Sequence, residues 1–122
     1  VSLGVTRISG SFTATGQSAS AVVFGPFNAV LWGTPLSGTG VSGTFSGTVQ
    51  IERSMDGGTT WVVVSTDGTG TQAIYTSPVS VAGMEPENGV LYRFDCTIYT
   101  SGTINYRLSQ VGDIGMALVR HV

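Results

Sequence analysis

Apolar residues in this chain recur at every second position, and helical spacing is hard to find anywhere. From Gly43 to Ser54, Phe45, Val49 and Ile51 point one way; Thr44, Ser46, Thr48, Gln50 and Glu52 point the other. From Val90 to Tyr99, Val90, Tyr92, Phe94, Cys96 and Ile98 share a face, with Arg93, Asp95 and Thr97 opposite. Ile104, Tyr106 and Leu108 alternate with Asn105 and Arg107. One buried and one wetted face is the signature of antiparallel sheet. Weaker strands are expected at Ser9–Thr15, Ala19–Phe24, Phe27–Gly33, Thr60–Ser65, Gln72–Thr76 and Pro78–Ala82.

Turn signals fall between these runs: Thr15–Gly16, Gly25–Pro26, Asp56–Gly58, Asp67–Gly68, Asn88–Gly89 and Ser101–Gly102. Short strands at this spacing predict one antiparallel β-sandwich, jelly-roll-like or immunoglobulin-like, over residues 1–122. Thr34–Gly43, rich in Gly, Ser and Thr, reads as a mobile loop. The apolar stretch 111–122 reads as a last strand or as an arm that docks on a neighbour.

Charge is scarce. Charged residues make up 10% of the chain, against roughly 25% in an average soluble protein. All five basic residues are Arg, and the net charge is −2. No basic stripe supports sequence-independent nucleic-acid binding. No apolar run is long enough for a membrane helix. A chain this poor in charge suits packing against other subunits; the alternative is a monomer kept soluble by Thr, Ser, Asn and Gln. The single cysteine, Cys96, rules out an intramolecular disulfide and fits a reducing compartment.

Chemistry-bearing clusters are few. His121 is the only histidine, whereas metal sites and triads need grouped, oriented ligands. Cys96 lies mid-strand on an apolar face and reads as a packing thiol. Asp56, Asp67, Glu85 and Glu87 are placed in loops, without the dense oxygen-ligand pattern of a calcium site. The expectation is therefore a structural or binding module, with no enzyme activity, no cofactor and no metal.

The sharpest local motif runs from Ser54 to Trp61 and matches the Asp-box pattern S-x-D-x-G-x-T-W. Its physics is that of a structural hairpin carried by Ser54, Asp56, Gly58, Thr60 and Trp61: a carboxylate accepts from turn amides and the indole packs back over the turn. Trp32, Trp61, Tyr75, Tyr99 and Tyr106 are candidates for sugar stacking. Trp61 is expected to close its hairpin and Tyr106 to pack in the core. Trp32 and Tyr99 fall opposite their strands' apolar sets, and with Met116, Leu118 and Val119 they are the candidate partner contacts.

Two blocks carry a resemblance: Leu31–Thr34 with Gly43–Trp61, and Glu85–Thr97 with Tyr99–Gln110. Together they resemble small virion proteins of tailed bacteriophages and prophages, over roughly residues 27 to 110. Against that likeness Thr34–Gly43 looks like an extra loop. The resemblance implies a capsid decoration or cement protein located in the virion, assembled in the host cytoplasm. Its partners would be the major capsid protein and copies of itself, as a dimer or trimer. The alternative it implies is a tail, connector or fibre module, with host glycans as ligand. It carries over no catalytic residue.

Overall fold

The computed structural model describes residues 7–34, 44–65 and 72–110. These hold only β-structure: β1 (Ile8–Phe12), β2 (Gly16–Gln17), β3 (Ala21–Gly33), β4 (Ser46–Ser54), β5 (Val62–Val63), β6 (Ile74–Tyr75), β7 (Val79–Ser101) and β8 (Ile104–Gln110). All pairings are antiparallel, in the order β1-β8-β3-β7-β4-β5, with β2 added to β7 and β6 to β4. All but Thr34 of the loop expected at Thr34–Gly43, the turn at Asp67–Gly68, His121 and the segment 111–122 lie outside the described residues.

The sheet folds over on itself because β3 and β7 are long and serve both layers. The first half of β7 pairs with Gly25–Leu31, and β8 pairs with the far side of the same stretch of β3. The second half of β7 pairs with β4. Rings then meet across the fold: Phe94 of β7 lies 5.1 Å from Tyr106 of β8, while Phe12 of the adjacent β1 packs diagonally beside Tyr106 at 4.8 Å. The core is the inward set of each strand, chiefly Val23, Leu31, Val49, Ile51, Val90, Tyr92, Phe94, Ile104 and Leu108. The result is a sandwich-like, all-β fold, as the two-residue periodicity requires.

Five local expectations are corrected. Gly25–Pro26 and Asn88–Gly89 are not inter-strand turns; both lie inside continuous strands, β3 and β7. Val23 faces Val90 and Gly25 faces Glu85, so Phe24 alone spans residues 86–89 of β7. This is a large bulge, and Gly89 takes it up at φ 78°. Glu85 is accordingly not a loop residue: it sits in β7 and is 1% exposed. Ile98 does not share the apolar face of Val90–Cys96. The register shifts from Cys96↔Val49 to Ile98↔Thr48, which turns Ile98 outward to 57% exposure. The same bulge turns Tyr99 inward, where its ring packs against the core. The buried thiol of Cys96 is pushed up in pKa by burial and by Asp95.

Candidate functional site

The Ser54–Trp61 turn assembles from its own side chains. The Ser54 hydroxyl donates to Asp56 Oδ1 at 2.8 Å and accepts from the Gly58 amide at 2.9 Å. Asp56 Oδ1 also accepts from the amides of Thr60 (2.8 Å) and Thr59 (3.1 Å). The Trp61 indole N–H donates to the Gly58 carbonyl at 2.9 Å. Led by the Thr60 amide, these donors hold the Asp56 carboxyl at a pKa of about 2. All five hairpin residues named from the sequence are thus brought into one turn.

Trp61 does more than close that turn. Arg93 lies with its guanidinium 4.1 Å from the indole centroid, and its Nε donates to Glu52 at 2.8 Å. Glu52, expected on a wetted face, is only 5% exposed among these neighbours. Burial raises the Glu52 carboxyl, but donation from Gln50 and Arg93 and the bond with Asp95 bring it below its ordinary value. Asp95 moves up instead, by burial and by the adjacent Glu52.

A second charged cluster sits between the layers. Arg53 of β4 grips Glu85 of β7 with both arms, Nε to Oε1 at 2.8 Å and Nη2 to Oε2 at 2.7 Å. The Tyr92 hydroxyl donates to Oε1 at 2.8 Å and the Glu87 amide to Oε2 at 3.0 Å. Burial pushes the Glu85 carboxyl up, but these donors outweigh it and leave it below its usual range. Burial and the Glu85 charge push the Tyr92 phenol well up, so it stays a donor. Glu85 is saturated and Tyr92 is held neutral: the group is a clamp between layers and is not poised for proton transfer.

This clamp was missed in the sequence although a signal was present. Arg53 continues the inward series Val49, Ile51, and Glu85 continues Val79, Val81, Gly83. Opposite charges at two core-facing positions call for each other. Above the clamp opens a cleft of about 480 Å³, walled by Phe27, Val62, Val64, Met84 and Pro86. Met84 is 62% exposed at its rim, beside its cross-strand partner Pro26 and near the 56%-exposed Phe24.

Of the candidate partner contacts, Trp32 and Tyr99 are among the described residues, on β3 and β7. Trp32 is half-buried on β3, its carbonyl accepting from the Asn105 side-chain Nδ2 at 3.3 Å. Tyr99 packs on the core and gives its hydroxyl to the Gly102 carbonyl at 2.6 Å. Met116, Leu118 and Val119 lie outside the described residues. Ile74 and Ile98, which the sequence did not single out, are exposed on either side of β4, opposite Gln50 and Thr48. Among the described residues no three His, Cys, Asp or Glu side chains gather as a metal site. No family model matches the chain, and no curated protein or solved structure is similar to it.

Proposed function

We propose that this chain is a structural protein of a tailed-bacteriophage virion, a decoration or cement subunit that binds the assembled head shell. The observation that carries the reading is where the few charges go. Arg53, Glu85, Arg93 and Glu52 are spent on internal ion pairs, and Asp56 on its own turn. The surface left over is Ser- and Thr-rich and carries Ile74 and Ile98 flanking β4. Such a surface suits contact with other subunits, where charge is depleted at the buried centre. A shell repeats its subunits, so each modest contact is multiplied by symmetry. The fibre reading, with Tyr99 as a glycan platform, is less favoured because that ring packs on the core.

A subunit that binds only the assembled shell stabilises it by mass action. Heads stripped of this chain should therefore disassemble at a lower temperature than complete heads, and adding the purified chain should restore the difference. Identical melting of stripped, complete and re-supplied heads contradicts the proposal.

A further inference from the structure

We propose that Asn88 is a self-modification site: its side-chain amide is lost by attack of the Gly89 backbone nitrogen, leaving aspartate or isoaspartate on the bulge of β7. The inference does not rest on the virion reading.

It begins with the register of β7. Val90 pairs with Val23 and Glu85 with Gly25, so residues 86–89 have no register partner on β3. β4 pairs with β7 only from Leu91 onward, so they have none there either. Pro86, Glu87, Asn88 and Gly89 are all exposed. The Glu87 amide is tied to Glu85 at 3.0 Å, but among the described residues no hydrogen bond holds the Asn88 side chain. Gly89 stands at φ 78°, and a Cβ placed there would meet nothing within 4 Å. The approach to its nitrogen is open.

The chemistry needs an asparagine side chain free to bend back on the next amide. The Gly89 nitrogen bonds to Asn88 Cγ as the Cγ–Nδ2 bond breaks, and Nδ2 leaves as ammonia with the Gly89 amide proton. Water then opens the cyclic imide. Addition at Cγ gives aspartate; addition at the main-chain carbonyl gives isoaspartate, whose backbone is longer by one atom. The net exchange is NH2 for OH, and water is the only reactant. A paired strand resists this because its amides are engaged in the ladder. The bulge removes that restraint at Asn88, and the added backbone atom falls where four residues already oppose Phe24 alone. The flanking pairs Val23–Val90 and Gly25–Glu85 are kept, and a chain of net charge −2 gains one negative charge beside Glu87.

The other two asparagines supply the contrast. Asn28 pairs with Ala82 and Ser109, and its side-chain amide donates to Ser80 Oγ and the Val81 carbonyl. Asn105 pairs with Trp32 and Ser11, and its side-chain amide donates to the Trp32 carbonyl and Thr34 Oγ1. Each must leave its ladder before the side chain can turn on the following nitrogen.

All basic residues are Arg, so trypsin places the three asparagines in separate peptides, 8–53, 54–93 and 94–107. The full, folded chain is incubated in mildly alkaline buffer and digested, and fragment masses locate the change. Asn88 should gain the mass of the NH2-to-OH exchange more than about a hundredfold faster than Asn28 or Asn105, which react only when a core strand opens. The aged chain should keep the thermal melt of the fresh chain and focus at a lower pH. Asn88→Gln, whose longer side chain closes the corresponding ring far more slowly, should lack the acidic species. An Asn88 as slow as the other two, a melt lost on ageing, or an acidic species that persists in Asn88→Gln would overturn the proposal.

Discussion

Glu85 shows how a single side chain can join two layers. Its carboxylate is 1% exposed yet meets donors from Arg53, Tyr92 and the Glu87 amide. Removing one partner of a buried ion pair leaves the other charge uncompensated, which typically costs about 3–5 kcal/mol. Arg53→Met should therefore destabilise strongly in urea melts. Replacing both, Arg53→Met with Glu85→Leu, should recover only part of the loss: no unpaired charge is left, but the Tyr92 hydroxyl and the Glu87 amide lose their acceptor. The sign of the pH effect follows from the depressed Glu85 pKa. Its contribution is complete above the unfolded carboxyl's range and is lost as pH falls through the folded value. The double variant should have a shallower acid limb than the native chain; equal acid limbs would remove Glu85 from this role.

At the scale of the element, the Ser54–Trp61 hairpin couples a turn to a face. Asp56 organises the turn amides and Trp61 covers Arg93, which in turn neutralises Glu52. Asp56→Asn keeps an acceptor oxygen but removes the ionisation. The native chain, with Asp56 near pKa 2, should lose hairpin stability as pH drops from about 4 to 2. The Asn variant should lack that decline when Trp61 fluorescence is followed against pH. An unchanged profile would show that the carboxylate does not hold the turn. This hairpin was legible from sequence because all its partners lie within eight residues. The three long-strand alternations were legible for the same reason: the period is local. The bulges were not. Gly25, Gly89 and Thr97 carry no signal that separates a turn from a bulge, since the difference lies in whether a distant strand continues past them. Gly47 records the second bulge, for a Cβ there would meet the Ile98 carbonyl oxygen at 2.6 Å. Ile98 and Tyr99 exchange faces as a consequence, which no periodicity argument could foresee.

For the molecule as a whole, the sandwich-like class followed from periodicity, but the strand path β1-β8-β3-β7-β4-β5 did not. Strand order is set by which apolar faces meet in three dimensions, and alternating sequences are alike in that respect. The candidate site was legible only in part. The scarcity of charge was visible; that Arg53, Glu85, Arg93 and Glu52 pair with one another, leaving Arg7, Glu87 and Arg107 among the exposed charges of the described residues, needed the register. That scarcity is the basis for reading the chain as a subunit made to be covered. Cryo-electron microscopy of the particle that carries it tests this most directly. The account predicts density of this sandwich repeated at symmetry-related positions on the head shell, with the Ile74–Ile98 face against capsid subunits. A shell without that density, in particles that contain the chain, would contradict it.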